Sequence, residues 1–393
     1  MNILLIQPSE SAYGVLSYFT ESLYSAFSKT MFGNVYLYKP NDAMSFIEIS
    51  NEIAAVLNKF NITHVFSFNS ICAEHMGFIK SDAKFIGWIV DYPVHHENRL
   101  SSNFQNKYVI SGNKRHSNFV HTMTKTKYLR NITLGASNNI VNNQYLKVND
   151  RPFDICIAGS WMGQPEKKWL ASDEPVVKKI GNDSLDELIS NDKQDVFSVL
   201  LKNFNRHNID LSENKALMGT LIRLIIEYLR KYERIKIIKA AERSGLKVLV
   251  VGEGWTNEIS GKSIFFHESV PFDKLNSIYL NSKTTVCFNS NNGGCERAIE
   301  ALSVGSTVFS FGGESIELLA NNNQGFCIQT KNLSVNTLAK RMDEWNEKIM
   351  NDDYLYQQPI EFIENNNWMK VAQTLIDTFA TLDLESQAIP LAS

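Results

Sequence analysis

The segment from Thr284 to Phe311 reads TTVCFNSNNGGCERAIEALSVGSTVFSF, and it predicts a strand, a glycine loop, a helix and a second strand. Two runs of β-forming residues, TTVCF and TVFSF, flank apolar residues at helical spacing, and Gly305 is a natural helix stop. Two strands joined by a helix form a βαβ unit, which implies a parallel sheet. Ligands of such sheets bind at the carboxyl ends of the strands, where helices begin.

The glycine loop and the helix after it suit a phosphorylated ligand. Backbone N–H groups of such a loop and the N-terminus of the helix both favour an anion. The helix carries Glu296, Arg297 and Glu300, and the Glu300 carboxylate can accept two hydrogen bonds from a sugar diol. An ordinary capped helix with a solvated charged face explains the same spacing, so the spacing alone leaves both interpretations open.

The segment ERAIEALSVGSTVF resembles the R-x-x-E-A-x-x-x-G motif of the GT-B glycosyltransferases that use nucleotide sugars, and is most similar to the branch of spore-maturation proteins. The resemblance implies an α/β protein with two Rossmann-like domains whose parallel sheets face each other across a cleft. It implies that Glu300 holds the donor ribose and that Gly293, Gly294 and Arg297 lie near the diphosphate. Many relatives carry a second glutamate eight residues before the ribose glutamate, but Asn292 stands there in this chain. We therefore infer no retaining mechanism from that pair.

Length and composition indicate a globular protein with two domains. The chain has 393 residues, of which 44% are hydrophobic and 21% are charged. Its net charge of −3 provides no general attraction to nucleic acid. Five scattered cysteines indicate reduced thiols in a cytoplasm, and Cys295 beside the glycine loop is interpreted as a small filler residue. The start runs directly into a strand pattern and no apolar run approaches a membrane span, so we expect neither a signal peptide nor a spanning helix.

Residues 1–150 are predicted to form the first Rossmann-like domain, on the acceptor side of the cleft. Four apolar runs predict its parallel strands, and they are Asn2–Ile6, Val35–Tyr38, His64–Phe68 and Phe85–Val90. The loop after the first strand lacks the dinucleotide fingerprint. In the family that the chain resembles, this loop faces the cleft, which makes Glu10, Ser11 and Gly14 candidate substrate contacts, although an ordinary turn is the simpler interpretation.

The fourth strand ends in the second informative site. Its W-x-x-D-x-P segment, in which Asp91 precedes Pro93, resembles the first half of the same family, and His95 and His96 follow. A carboxylate or an imidazole at the end of a central strand faces the cleft, where it can take the proton from an acceptor hydroxyl. We predict catalytic use of at least one of Asp91, His95 and His96. The alternative is that Asp91 caps a turn and that both histidines are exposed.

Residues 151–355 are predicted to form the donor-binding domain, with a helical insertion at about 172–244. Strand patterns at Phe153–Ala158, Leu246–Val251 and Ile264–Phe266 are each followed by a loop that would border the cleft. By the resemblance, the nucleotide-sugar contacts are Gly252, His267, Ser269, Val270, Asn292, Gly293, Gly294, Glu296, Arg297 and Glu300, with Ser160 as a further cleft residue.

The insertion ends in an amphipathic helix with a basic face. The basic residues are Arg223, Arg230, Lys231 and Arg234. Such a face can lie on a membrane, which would suit a lipid-linked acceptor, but a solvated face is the simpler interpretation. Residues 356–393 are predicted to form a C-terminal helix that crosses back to the first domain, followed by a tail that is loose after Leu384.

The resemblance implies a glycosyltransferase that moves a sugar from a nucleotide diphosphate sugar to a hydroxyl of a glycan, a lipid-linked molecule or a protein. No metal or other cofactor is expected, because backbone N–H groups, a helix N-terminus and a basic side chain can stabilise the leaving diphosphate. Two alternatives stay open: an epimerase of the same fold, and a non-catalytic partner subunit, to which Asn292 gives weight. We expect a cytoplasmic protein that binds no nucleic acid. Peripheral contact with the inner membrane face and a homo-oligomer also stay open.

Overall fold

Two parallel six-stranded sheets form the framework of the protein, which confirms the predicted fold class. The computed structural model describes residues 1–8, 14–30, 33–79, 81–102, 104, 106–136, 146–191, 194–288, 295–321, 323–351 and 358–388. The first sheet consists of β1 (Asn2–Ile6), β2 (Asn34–Tyr38), β3 (His64–Phe68), β4 (Lys84–Ile89), β5 (Lys107–Ser111) and β6 (Lys127–Asn131). The second consists of β7 (Phe153–Ala158), β8 (Val248–Val251), β9 (Ile264–His267), β10 (Ser282–Cys287), β11 (Thr307–Phe311) and β12 (Phe326–Gln329).

Helices connect these strands. In the first half they are α1 (Val15–Thr30), α2 (Phe46–Lys59), α3 (Ala73–Ile79), α4 (Glu97–Leu100) and α5 (His116–Met123). In the second half they are α6 (Pro175–Ser190), α7 (Val196–Arg206), α8 (Lys215–Ser244), α9 (Leu275–Leu280), α10 (Glu296–Ser303), α11 (Glu314–Ala320), α12 (Val335–Met350), α13 (Gln358–Asn365) and α14 (Trp368–Ala388). Short 3-10 helices are Pro93–His96, Val148–Asp150, Lys168–Ala171 and Phe272–Lys274.

In each sheet, the chain adds successive strands first towards one edge and then towards the other, so the strand order changes direction at one point. The orders are β2-β1-β3-β4-β5-β6 and β12-β11-β10-β7-β8-β9. The predicted βαβ unit is β10–α10–β11, and Val286 of β10 lies opposite Phe309 of β11 in parallel register. Strands β1 and β3 lie at the reversal in the first sheet, and β7 and β10 lie at it in the second. Ligands of open α/β sheets bind outside the carboxyl ends of the strands at such points, so the fold itself indicates where the site should be.

The helical insertion follows β7 in sequence but packs against the first domain. One apolar cluster combines Ile89, Tyr92 and Phe119 of the first domain with Phe197 and Leu200 of α7. The Phe119 and Phe197 rings meet edge to face at 5.8 Å. The insertion therefore links the two halves of the chain.

Helix α8 runs from one domain to the other. Residues of its first half, such as Leu221 and Ile225, pack in the cluster that includes the first domain, whereas Ile237 and Ile238 pack in the core of the second domain. The helix ends at Gly245, whose φ of 73° is the left-handed conformation that glycine adopts at little cost. A single rigid helix thus connects the two walls of the cleft.

The C-terminal helix α14 crosses back to the first domain. Trp368 packs on Phe19 of α1, and Lys84 of β4 contacts the Asp383 carboxylate at 2.6 Å. Helix α14 continues to Ala388, so the expectation of a loose tail directly after Leu384 is wrong for these four residues. The helix remains regular because its buried face, including Leu375 and Phe379, has the first domain to pack against.

Candidate functional site

A cleft lies where the carboxyl ends of the second sheet face helix α1. It has a volume of about 480 Å³, solvent-open space included. Residues from both domains line it, and they are Val15, Ala158, Gly159, Ser160, Val251, Gly252, Ser269, Val270, Phe272, Leu275, Glu296 and Arg297. Its position above β7 and its neighbours is the one that the strand order indicates.

Two glycines bring the ends of β7 and β8 close together on the floor of the cleft. Gly159 has a φ of 148° and Gly252 a φ of 138°. A Cβ atom on Gly252 would lie 2.7 Å from the carbonyl carbon and oxygen of Gly159, so a side chain at this position would collide with backbone. The Trp255 indole N–H donates to the Gly159 carbonyl at 2.6 Å, and Glu253 N–H donates to Ser160 Oγ at 3.3 Å. The floor of the cleft therefore consists of backbone without side chains, and hydrogen bonds from Trp255 and Glu253 hold this backbone in position.

The N-terminus of α10 borders the cleft with two charged residues. Glu296 and Arg297 approach within 3.5 Å, and 23% of each side chain is exposed. Burial by itself lowers the pKa of Arg297, but Glu296 and, among others, Asp91 raise it above its ordinary value. Arg297 is thus a permanent cation beside the positive end of a helix, an arrangement that favours an anionic ligand.

Two further cations, Arg230 and Arg234 of α8, belong to the basic face of that helix and were not predicted to lie near the site. Arg234 is only 4% exposed, its guanidinium lies 5.1 Å from the Phe288 ring, and its Nε lies 3.9 Å from the position that a Cβ of Gly159 would take. Burial, together with the charges of Arg297 and Arg230, lowers the pKa of Arg234 to about 9, so it remains charged at neutral pH.

Within the basic face of α8, Arg234 does not have the solvated orientation that we expected, whereas the Arg223 side chain is 44% exposed. Contact of this face with a membrane stays a prediction. Arg234 is buried, and Arg223 pairs with Glu97 of the first domain at 2.8 Å. Lys231 pairs with Glu227 on the same helix at 2.8 Å. The sequence showed the basic face, but the packing of α8 between the domains decides its direction.

Asp91 directly follows β4, and its charge acts on Arg297 at the cleft, although Asp91 is not among the residues that line the described cleft. Its side chain is 40% exposed, its Oδ2 lies 3.7 Å from His96 Nε2, and the same Oδ2 accepts a hydrogen bond from Asn69 Nδ2 at 3.1 Å. Burial raises the pKa of Asp91, but His96, Arg230 and His95 outweigh it, and the net pKa is below the ordinary value. The carboxylate is therefore ionised at neutral pH. Because Asp91 also raises the pKa of Arg297, the two charges influence each other electrostatically.

His95 and His96 belong to the 3-10 helix that begins at Pro93. His95 is exposed, as the alternative for the histidines expected. Partial burial of its ring, with Arg230 and Arg223 among the nearby charges, lowers its pKa, although Asp91 opposes the shift. His95 is thus neutral at neutral pH. The structure brings Asp91 and His96 into contact, so the alternative in which both histidines are simply exposed is wrong for His96, whose side chain is 11% exposed.

The remaining residues predicted to contact the nucleotide sugar or to border the cleft do not all lie at the cleft. Ser269 and Val270 line the cleft, and Ser269 Oγ is buried without a hydrogen-bond partner among the described residues. His267 is exposed at the end of β9, where its Nδ1 lies 2.8 Å from the Glu268 carbonyl oxygen. Gly14 is exposed before α1, with a φ of 72° and nothing within 4 Å of a Cβ there. The predicted residues Glu10, Ser11, Asn292, Gly293 and Gly294 lie outside the described residues.

Glu300 is buried one turn beyond Glu296 on α10. It is 3% exposed, and its Oε2 accepts a hydrogen bond from Asn276 Nδ2 of α9 at 2.8 Å. It is not among the residues that line the described cleft. Its assignment to the donor ribose stays a prediction, and Asn276 is a partner that no sequence pattern identified.

Hydrogen bonds and ring contacts join the two domains near the cleft. The Glu314 carboxylate of α11 accepts from Arg115 N–H at 2.8 Å, and Ser315 Oγ donates to the Gly112 carbonyl at 3.1 Å. Glu314, the first residue of α11, thus bridges to the first domain. The Tyr18 and Phe19 rings of α1 pack on Phe272 at 5.3 and 5.4 Å, which closes one end.

The described residues contain neither a metal-binding cluster nor a membrane-spanning helix. No group of three or more histidine, cysteine, aspartate or glutamate residues there could hold a metal ion. None of the described helices has the length and apolar character needed to cross a membrane. Burial raises the pKa of the Cys295 thiol well above its ordinary value, which favours the unreactive protonated form and agrees with its interpretation as a filler residue.

No protein-family model matches the chain, and no curated protein matches its sequence. Solved structures do match over nearly the whole length. Sucrose-phosphate synthase from Thermosynechococcus elongatus is 10% identical, with a TM-score of 0.57 over 98% of this chain and 99% of that one. The apo form of the lipopolysaccharide outer core galactosyltransferase WaaB is 10% identical, with a TM-score of 0.57 over 97% and 99%. HepE from Anabaena, in complex with UDP-glucose, is 9% identical, with a TM-score of 0.54 over 97% and 100%. The chain therefore has the two-domain α/β fold of the GT-B glycosyltransferases, while the predicted spore-maturation branch stays a prediction.

Proposed function

We propose that this protein is a glycosyltransferase that moves a sugar from a nucleotide diphosphate sugar to a hydroxyl-bearing acceptor. The observation that carries the proposal is the cleft at the ends of β7 and β8, where the bare backbone of Gly159 and Gly252 lies with Arg297 of α10. The Asp91 carboxylate at the end of β4, held by Asn69 and His96, supplies the second charge. The Asp91 carboxylate suits the removal of a proton from an acceptor, and the Arg297 guanidinium suits stabilisation of the leaving diphosphate. The solved structures of similar fold include one in complex with UDP-glucose, which makes that compound the first donor to test.

On the donor side, the diphosphate would lie between the bare backbone of Gly159 and Gly252 and the positive end of α10. Arg297 and Arg234 would face it from two helices. These groups are held in place before the ligand arrives, so they stabilise the charge that develops on the leaving group with little reorganisation. This arrangement supplies the positive charge from the protein, and for this reason we propose that transfer needs no metal.

On the acceptor side, Asp91 would act as the general base. The acceptor oxygen forms a bond to the anomeric carbon while the bond from that carbon to the diphosphate oxygen breaks. The hydroxyl proton goes to the Asp91 carboxylate, and the bonding electrons leave with the diphosphate. His96, whose Nε2 lies 3.7 Å from Asp91 Oδ2, is placed to hold the carboxylate in position, and the proton would pass from Asp91 to solvent through its exposed side. The acceptor would be a glycan, a lipid-linked molecule or a protein, and a lipid-linked acceptor would bring with it a peripheral contact with a membrane.

Release of the nucleoside diphosphate tests the proposal. The protein is incubated with UDP-, GDP-, CDP- or ADP-sugars, first with water as the acceptor and then with mixed mono- and oligosaccharides, in the presence of EDTA. We expect release of one nucleoside diphosphate, faster with a suitable acceptor and undiminished by EDTA. Conversion of the donor to its epimer would instead establish the epimerase. Binding without release or conversion under all of these conditions would favour the non-catalytic subunit.

A further inference from the structure

The turn between β3 and α3 has an unusual backbone. Asn69, Ser70 and Cys72 have φ angles of 52°, 52° and 64°, in the left-handed region that residues other than glycine rarely adopt. Such conformations persist only where the surrounding structure enforces them, and they concentrate at functional sites. The turn lies at the carboxyl end of the strand next to β4, and so beside Asp91.

Neighbouring residues hold this turn from two sides. A Cβ atom on Gly87 of β4 would lie 1.9 Å from Ser70 Oγ, so the turn can pack against β4 only because residue 87 is glycine. Arg99 donates a hydrogen bond to the Asn69 carbonyl at 3.3 Å, and Asn69 N–H donates to the Trp88 carbonyl at 2.7 Å. The side chain of Asn69 thus starts from a fixed backbone.

That side chain uses both ends of its amide on the residues around Asp91. Its Oδ1 accepts from Val90 N–H at 3.0 Å, and its Nδ2 donates to Asp91 Oδ2 at 3.1 Å. The first contact fixes the orientation of the amide, because only an oxygen can accept from a backbone N–H. The nitrogen must then face the carboxylate. Asn69 is 4% exposed, so water competes little for these bonds.

We infer that Asn69 is the positioning residue for Asp91, holding the carboxylate of the proposed base at the cleft through the strained β3–α3 turn. The inference rests on the proposed function for its catalytic meaning. Its structural content, that Asn69 controls the position and ionisation of Asp91, is independent of what the protein transfers. Among the described residues, the charged or titratable groups that act on Asp91 include His95 and His96 from the 3-10 helix and Arg230 from α8, and Asp91 in turn acts on Arg297 of α10.

Two substitutions of Asn69 distinguish the loss of its contacts with Asp91 from the addition of a negative charge beside Asp91. Asn69→Asp keeps the acceptor for Val90 N–H but places a second carboxylate beside Asp91, which raises the pKa of Asp91 because two close carboxylates resist losing both protons. Asn69→Gly keeps the left-handed backbone without strain but removes both side-chain contacts. Asn61, with a φ of 48° at the other end of β3, offers matched controls in Asn61→Asp and Asn61→Gly.

The pKa of Asp91 is measured from its ¹³Cγ NMR signal in aspartate-labelled protein, with Asp91→Asn to assign the signal. We expect this pKa to rise in Asn69→Asp and in Asn69→Gly, and to stay unchanged in both Asn61 variants. UDP release from UDP-glucose should fall on the order of tenfold to a hundredfold in kcat in the Asn69 variants, as expected for loss of a hydrogen bond to a charged group, with KM changed little.

The outcomes distinguish the two proposals. An unchanged Asp91 pKa in both folded Asn69 variants overturns the inference, whatever the turnover. A raised pKa in a protein that never turns over a nucleotide sugar supports the positioning role and contradicts the proposed function. A parallel fall of kcat in the Asn61 variants would show that the loss reflects general destabilisation, which also overturns the inference.

Discussion

Asp91 is the residue on which the proposed chemistry depends most. It follows strand β4, which is buried except at Lys84, contacts His96 and Asn69, and keeps a partly exposed carboxylate. Residues at such sites are often held with a perturbed pKa. Here the perturbation favours the ionised form, which is the form that a general base requires at neutral pH.

Replacing this carboxylate should remove turnover and preserve binding. Asp91→Asn keeps the shape of the side chain but cannot accept a proton, so we expect kcat to fall by roughly 10²- to 10⁴-fold, the usual contribution of a general base. The affinity for UDP-glucose should stay within about threefold, because Asp91 lies on the acceptor side. Steady-state kinetics measure both quantities. Asp183→Asn, which removes an ion-paired carboxylate on α6, is the control, and equal activity of the two variants would contradict the role of Asp91.

At the scale of elements, His64 makes the docking of α14 sensitive to acid. It is fully buried in β3, its ring stacks on Phe379 at 5.1 Å, and its Nε2 lies 3.4 Å from Asp383. Burial lowers the pKa of His64 to about 4, although Asp383 opposes the shift. The unfolded chain therefore binds the proton more readily than the native protein between about pH 6.5 and pH 4, and native stability falls as the pH drops through that window.

The size of this loss can be measured. Linkage predicts that His64 removes about 2 kcal/mol from the free energy of unfolding between pH 7 and pH 5. His64→Phe keeps a ring on Phe379 but has no proton to bind, so the variant should lose about that much less over the same interval. Urea denaturation at the two pH values tests this. An equal loss in both proteins would mean that His64 does not titrate as the structure indicates.

Tyr92 connects the first domain to the helical insertion. Its hydroxyl donates to Asp195 Oδ1 at 2.9 Å and accepts from Phe197 N–H at 3.2 Å, and the phenol is fully buried. Tyr92→Phe leaves Asp195 Oδ1 and Phe197 N–H without this hydrogen-bond partner in a buried site. We therefore expect the free energy of unfolding to fall by about 1–3 kcal/mol. Tyr38→Phe is the control. It removes an exposed hydroxyl contact to Glu52 and should lower the free energy of unfolding by about 1 kcal/mol or less. Denaturant titrations that give equal values for the two variants would contradict this role of Tyr92.

Sequence patterns predicted some elements well because those elements are buried. The β10–α10–β11 unit and strands β1, β3 and β4 carry apolar runs, since helices or other layers cover both faces. Strands β6 and β12, with the sequences KYLRN and FCIQ, were not predicted. Both are edge strands, and an edge strand with partly exposed side chains needs no apolar run.

At the scale of the whole molecule, the sequence located the two sides of the cleft but not the residues that join them. Asp91, Gly252, Glu296 and Arg297 follow strands or begin helices, so their place in the chain predicts their place in the fold. The inward direction of Arg234 depends on how α8 packs between the domains, and the role of Asn69 depends on a left-handed turn. Neither has a local sequence signal.

Nucleotide binding tests the central claim most directly. Thermal unfolding is followed with UDP, GDP, CDP, ADP and their sugar conjugates for the natural protein, for Arg297→Gln and for Arg341→Gln on the exposed face of α12, an arginine outside the cleft. We predict that one nucleotide family stabilises the natural protein and Arg341→Gln by about 2.7 kcal/mol at a hundredfold excess over Kd, and that Arg297→Gln gains clearly less at the same concentration. The account would be contradicted if no nucleotide stabilised the natural protein, or if the gain were the same in Arg297→Gln.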